Sequence, residues 1–559
     1  MEFLKKYRVE ILVFAAILGL LLICAAPDMT WINTDSDGVH YVYAAKYLYP
    51  SHKGSAPLYL LLGHLFLYLP FGTEFWRMAL ISVLSGLAAS VFIYLIIMEK
   101  VGNRSHALIG ASLYGVSILA LSQNTIVEAY PLVTAVCLAV FYFCLKKKWT
   151  TAAVLVGVAG AIHPTSMLVI IPMLIFFKEL RQWKRLGVMA LFVLFYLYIP
   201  LTNRPPYMWQ ASNQSGGLFG FIKDSWDTAI MLTGGLSIWD LPKRLLDASG
   251  LILLSFGAAL IPLYFALRKQ FYKRVLFWLV AIPTVYYITD LAPQTYVYLQ
   301  PAIAFGAVAV GIGLTKLKHE KLLGYGTAVR AIVFFVLIIG AVDFHYMDIG
   351  VMLDPELSAV KYYTEELPKV PDGQVLMPQY AWEWAAIYPY NRNENRNITP
   401  VCIDTLLSPV CQQQLRDDGI LFEDNFAKNI LERQCFIATS IVTLNDNIWT
   451  TQSSVPETYG AKIVPATVDM VTEMLEIKSS DRTLEPQWHF KPSNPMGIIT
   501  GSIEVNEWHW ITWSPNRSCI MFVAWGMFGY FPYWLIERIL SKRRKAAKNA
   551  IIQPKKAVK

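Results

Sequence analysis

The chain has 559 residues, of which 55% are hydrophobic and only 16% charged, against about 25% charged in an ordinary soluble protein. That excludes disorder, collagen and a disulfide-stapled miniprotein, and it fits a cytosolic enzyme poorly. The net charge of +8 averages two opposed parts: residues 344–515 carry 23 acids against 11 bases, a net of −12, and the rest carries a net of +20.

In chain order, apolar runs lie at about 9–27, 75–98, 106–122, 131–145, 150–163, 165–177, 186–201, 248–267, 275–290, 297–315, 331–347 and 518–540. A membrane helix needs about 20 apolar residues, and cytoplasmic loops are enriched in Lys and Arg. Twelve spans with both termini cytoplasmic put every basic cluster on one side, from Lys5, Lys6 and Arg8 through Lys146, Lys147 and Lys148 to the eight bases of residues 542–559. The run 9–27 has a basic start but no small-residue cleavage site after it, and reads as a retained signal anchor. The expected fold is therefore an α-helical polytopic membrane protein of about twelve transmembrane helices with an α/β extracytoplasmic domain. Residues 1–347 form the membrane body with outer loop 28–74, residues 348–515 the outer domain, and residues 516–559 the last helix and basic tail. Val-, Ile- and Thr-rich stretches at Gln374–Met377 and Phe436–Thr443, set among helix-like stretches, predict the strands of that domain.

The chemistry-bearing residues fall on the outer side. Asp35 and Asp37 follow the first span directly; they read as solvated turn carboxylates or as functional charges kept near lipid. His52 and Lys53 precede the run Pro57–Leu69, too short to span and better placed in the interface. Arg77 is a snorkelling anchor or a headgroup ligand. Glu128 is a helix-end charge or an acid that orients a reacting group. His163, beside Pro164, is structural or a ligand. Tyr130, Tyr207 and Trp209 suit an aromatic belt or the face of a sugar equally, and Trp382 and Trp384 a core or a sugar. Cys402 and Cys411 could pair in an oxidising compartment, with Cys435 left over. Asn213 and Asn397 begin glycosylation sequons.

The motifs themselves resemble a family. Asp35-Ser-Asp-Gly, then His52 with Pro57-Leu-Tyr, then Trp76-Arg77 entering the second span are similar to the GT-C superfamily of membrane glycosyltransferases, most of all the branch related to protein O-mannosyltransferases. Glu128-Ala-Tyr-Pro-Leu, the Gly-rich run from Gly157 to His163-Pro-Thr165, Tyr198-Ile-Pro-Leu-Thr-Asn-Arg204 and residues 367–419 extend the resemblance over roughly 30–420. The family's acidic pattern after the first span is Asp-Ser-Gly-Glu; here its Glu is absent, with Asp37 as a stand-in, and two prolines after His52 are missing.

The resemblance implies transfer of one sugar, mannose or another hexose, from a polyprenyl- or dolichyl-phosphate carrier to a hydroxyl on protein or glycan, with inversion. Asp35 would be the base, Asp37 the second choice for it or a helper, and Glu128 would orient the acceptor or the base. Arg77, Arg204, His52, His163 and Lys53 would meet the lipid phosphate, since guanidinium pairs bidentately with phosphate. Tyr130, Tyr207 and Trp209 would stack on sugar. One carboxylate suffices because the phosphate leaving group is a weak base, whereas glycoside hydrolysis needs a second as acid. Asp35-Ser-Asp37 also spells the Asp-x-Asp of nucleotide-sugar enzymes. Nucleotide donors are cytosolic and this loop faces out, so no metal or other cofactor is expected, although hard cations do take such oxygens. The oligosaccharyltransferase motif Trp-Trp-Asp-Tyr-Gly does not occur. Expected partners are the lipid-linked sugar, the acceptor and membrane lipid, with no nucleic acid; the expected location is the cell membrane, with the site on the extracytoplasmic or lumenal face. Two rival readings are a secondary transporter, disfavoured because the two halves show no repeat, and a catalytically dead membrane protein whose outer domain binds glycan.

Overall fold

The computed structural model describes residues 6–25, 37–48, 56–115, 117–197, 271–289, 298–319, 362–377, 387, 390–391, 393–400, 435–438 and 463–465. Helices dominate up to residue 319. Helix α1 is Arg8–Cys24, α2 Asp37–Tyr47, α3 Pro57–Phe66 and α4 Glu74–Val101. After these come α5 (Arg104–Gly115), α6 (Ile118–Asn124), α7 (Tyr130–Leu145) and α8 (Trp149–Ile162). The later helices are α9 (Met167–Phe176), α10 (Trp183–Leu191), α11 (Phe271–Thr289) and α12 (Gln300–His319).

Helix α4 is the axis of the body. The Thr73 hydroxyl accepts from the Trp76 N–H at 3.1 Å and starts it, and Gly102, left-handed at φ 67°, ends it with its N–H on Met98 O. Its 28 residues rise about 42 Å, and among the described residues it alone is both long and apolar enough to meet a strict criterion for crossing a membrane. Helices α5, α7 and α12 pack against it. Close approach there depends on missing side chains. A Cβ on Gly110 of α5 would lie 3.0 Å from Ala307 O, and one on Gly311 of α12 would lie 3.1 Å from His106 O. Small residues at such crossings let apolar helices pack backbone to backbone.

The surface is apolar as well as the core. Leu12 and Ile23 on α1, Ile175 on α9 and Trp183 and Leu191 on α10 are exposed by 58–78%. Exposed apolar residues on this scale would be a liability in water, and they are what a helical membrane protein presents to lipid. Among the described residues, one buried charge ties the first helix into this body. Glu10 of α1 is 4% exposed; Tyr94 donates to it at 2.9 Å, and Arg104 holds it through two short N–H contacts. The pair fixes α1 against α4 and α5.

Three expected spans are subdivided. The run 106–122 forms α5 and α6, because the Ser117 hydroxyl accepts from the Ala120 N–H at 3.3 Å and opens a new helix. The run 165–177 begins with a 3-10 turn at Pro164–Ser166, and 186–201 passes from α10 into another at Phe192–Leu197. Helix α3, started by Pro57, has only 10 residues and is too short to span, as the sequence predicts. The expected spans 248–267, 331–347 and 518–540 lie outside the described residues.

Beyond residue 361 the described structure is a small sheet of β1 (Val375–Met377), β2 (Thr399–Pro400), β3 (Cys435–Ala438) and β4 (Ile463–Pro465), in the order β2-β1-β3-β4. Strand β1 runs parallel to β2 and to β3, with Val375 opposite Thr399 and Cys435, and β4 is antiparallel to β3. Both stretches read as strands from the sequence overlap one: Val375–Met377 lies within the first, and Cys435–Ala438 overlaps the start of the second. Asn397 of the second sequon is exposed. Cys402, Cys411, Asn213, Trp382 and Trp384 lie outside the described residues.

Candidate active site

The candidate site is built where the α6–α7 turn crosses the first third of α4. Gly86 and Ser82 stand one turn apart on α4, so they share a face. A Cβ on Gly86 would come within 2.6 Å of the Asn124 side chain, so the glycine lets that residue lie against the helix. One turn earlier, the Ser82 hydroxyl donates to Glu128 O at 3.1 Å and accepts from its N–H at 3.4 Å. The segment 124–128 is thereby held against α4 at both of its ends.

This fixes Glu128 at 4% exposure immediately before α7. Its Oε2 accepts from the Ala129 N–H at 3.2 Å, and a carboxylate at a helix N-terminus is stabilised by the unpaired N–H groups and the helix dipole. Pro131 in the first turn costs α7 no hydrogen bond. The phenol of Tyr59, fully buried on α3, lies beside Ser82 and Glu128. Burial first, and then the negative charge of Glu128, hold its pKa well above the ordinary 10.0, while Ser82 opposes the shift. Tyr41 of α2 packs edge-on against it at 5.1 Å.

Two residues after Glu128, Tyr130 turns into a row of rings. His163 lies 5.2 Å from Tyr130, Tyr130 lies 5.4 Å from Tyr298, and Tyr298 lies 5.0 Å from Tyr286. His163 ends α8 in extended backbone because Pro164 follows it. The Thr165 N–H donates to His163 Nδ1 at 3.3 Å, and the Thr165 hydroxyl lies 2.8 Å from the same nitrogen, which holds the ring in place. Behind the turn, Gln300 Nε2 donates to Asn124 Oδ1 at 2.8 Å and to Tyr114 OH at 3.1 Å, all three buried.

Of the residues expected from the sequence, the structure brings Glu128, Tyr130 and His163 together. Arg77 has a different setting. Its guanidinium donates to Leu67 O, Phe71 O and Gly72 O at 2.8–3.0 Å and clamps the turn between α3 and α4, so three of its five N–H groups are committed to backbone. Asp37 is the first residue of α2. Asp35, His52, Lys53, Arg204, Tyr207 and Trp209 lie outside the described residues. Ser82, Tyr59, Tyr286 and Tyr298 were not singled out for the site. A serine in an apolar span usually bonds its own helix, as Ser85 does with Ile81 O, so nothing in the sequence marks Ser82 apart.

Residues 54–209 match the family model described as dolichyl-phosphate-mannose-protein mannosyltransferase. The resemblance read from the motifs, to GT-C glycosyltransferases of the protein O-mannosyltransferase branch, thus holds over a stretch containing Glu128, Tyr130 and His163. Among solved structures, ArnT from Cupriavidus metallidurans bound to undecaprenyl phosphate is similar with a TM-score of 0.48 and 13% identity, over 78% of this chain and 94% of that one. The oligosaccharyltransferase of Archaeoglobus fulgidus, tethered to an acceptor peptide by a disulfide, is similar with a TM-score of 0.48 and 12% identity, over 80% and 71%. No curated protein matches the chain.

Proposed function

We propose that the protein is a GT-C-type membrane glycosyltransferase that moves one sugar, mannose or another hexose, from a polyprenyl- or dolichyl-phosphate carrier to a hydroxyl on protein or glycan. The observation that carries this reading is the buried Glu128, held by Ser82 at the head of α7 beside the Tyr130–His163 pair, within the stretch that matches the mannosyltransferase family. On this reading twelve spans carry the site on the extracytoplasmic face, beneath an α/β outer domain that selects the acceptor.

In the reaction the acceptor oxygen bonds to C1 of the sugar as the C1–O bond to the lipid phosphate breaks. The acceptor proton passes to Asp35, and the negative charge leaves on the phosphate, so a single displacement inverts the anomeric centre. Proton removal and charge stabilisation at the leaving oxygen are the two demands. Arg204, with His52 and Lys53, answers the second, and Arg77 contributes through the N–H groups its turn does not use. Glu128 orients the acceptor with Asp37 as a helper, and Tyr130, Tyr207 and Trp209 face the sugar. His163 hydrogen-bonds the phosphate or the sugar. No metal enters the step.

Purified protein is expected to move sugar from a synthetic polyprenyl-phosphate sugar to a hydroxyl acceptor, and Asp35→Asn to lose transfer while still binding donor. Full transfer by Asp35→Asn would refute the base assignment. Mass spectrometry of the co-purifying lipid would name the carrier and the sugar.

A further inference from the structure

A groove runs down the body between α4 and α7, with a volume of about 370 Å³ and an almost wholly apolar lining. Ile81, Ser85 and Phe92 of α4 form one wall, and Val136, Ala139 and Phe143 of α7 the other. The two helices run parallel, with Ser82 against Glu128 at one end and Glu99 against Lys146 at the other, so their ends define the ends of the groove. At one end α3 lies across it through Leu62 and Phe66. At the other, one turn beyond Phe143, Lys146 and Glu99 form an ion pair at 2.5 Å that ties α7 to α4.

That second end is basic. Lys146, Lys147 and Lys148 make the turn into α8, and their N–H groups donate to Tyr142 O, Cys144 O and Phe143 O at 2.9–3.0 Å. The turn is therefore fixed, with Lys147 left-handed at its tip. Lys146 is matched by Glu99, whereas Lys147 and Lys148 are exposed and make no ion pair among the described residues. Lys147 and Lys148 thus add two exposed positive charges just beyond the end of α7 that borders this apolar groove.

We infer that this groove binds an anionic glycerophospholipid, with one acyl chain between α4 and α7 and the phosphate on Lys147 and Lys148. Charge complementarity selects the occupant. Phosphate oxygens accept charge-assisted hydrogen bonds from ammonium groups, and basic residues at the membrane surface favour anionic lipid. The lysines set the direction, since Leu62 and Phe66, which line the groove beside α3, offer a headgroup no charge. The occupant is therefore a lipid of the leaflet that the lysines face, distinct from a sugar donor reacting near Glu128.

The test is native mass spectrometry of the full-length protein with phosphatidylglycerol and with phosphatidylcholine of the same acyl chains. Wild type should retain phosphatidylglycerol preferentially, and Lys147→Gln with Lys148→Gln, both on the surface, should cut that preference by roughly 30-fold, the value of two basic residues near a membrane surface. Ala139→Trp, or the milder Ala139→Leu, should fill the groove and reduce retention of both lipids. Equal retention of the two lipids by wild type would overturn the inference, and so would a preference that survives removal of both lysines. Displacement of phosphatidylglycerol by polyprenyl phosphate at equal concentration would assign the groove to the carrier instead. Sugar transfer by the double variant is expected to persist, so this result stands apart from the transferase assay.

Discussion

Replacing Ser82 by Ala tests the geometry on which the candidate site rests. The hydroxyl is buried and makes two bonds to the Glu128 backbone, one good at 3.1 Å and one marginal at 3.4 Å. Withdrawing a partner from a buried backbone group costs about 1–3 kcal/mol. With one strong and one weak bond the expected loss is about 2 kcal/mol, felt locally at the α6–α7 turn. Glu128 would then be held by its own Ala129 N–H bond and by Asn124 at Gly86, and its carboxylate would lose its fixed position. Displacement of a positioning group by about 1 Å can cost about 100-fold in rate, so kcat should fall between tenfold and 100-fold with donor binding nearly intact. Thermal unfolding in detergent and steady-state transfer from a synthetic donor measure the two effects. Wild-type stability would show that the turn is held elsewhere. Reduced stability with an unchanged kcat would refute the role given to Glu128.

Other outcomes follow from particular contacts. Gly110→Ala puts a Cβ 2.4 Å from Ile97 Cδ1 and 3.0 Å from Ala307 O; it should destabilise by about 1–3 kcal/mol, and Ile97→Val, which deletes Cδ1, should recover part of the loss in a double-mutant cycle. Glu10→Gln should lower the melting temperature more than Tyr94→Phe does, because Arg104 loses its charged partner only in the former. Tyr59 is held above its ordinary pKa of 10.0 in the folded state, so it binds its proton more tightly folded than unfolded; that contribution is complete below about pH 10 and is lost as pH rises. Tyr59→Phe should therefore flatten the decline of stability measured above pH 10. A tag after Lys559 should be inaccessible in intact cells and one near Asn445 accessible; the reverse would overturn the sidedness.

The helices were legible where charge or proline punctuates an apolar run. Expected spans 75–98, 131–145 and 150–163 became Glu74–Val101, Tyr130–Leu145 and Trp149–Ile162, since Glu74, Lys100, Lys146–Lys148 and Pro164 mark their ends. The break at Ser117 was hidden, because a serine capping a new helix does not interrupt the hydropathy of residues 106–122. The motifs single out Glu128, Tyr130 and His163, but they do not reveal the bond from Ser82, since 46 positions separate it from Glu128 and only tertiary packing joins them. Arg77 shows the complementary limit. Sequence places a guanidinium at the head of a span, but only the fold shows that the carbonyls of residues 67–72 take three of its donors.

The pairing of Gly86 with Asn124 and of Ser82 with Glu128 has a mechanical consequence. Two fixing points one helical turn apart, about 6 Å along the axis, prevent the turn from sliding or rotating on α4. Glu128 and the head of α7 must therefore travel with α4 when that helix tilts. Helix α4 is long and apolar enough to cross a bilayer, and long helices tilt to match the thickness of the surrounding lipid; any such tilt would carry the carboxylate with it.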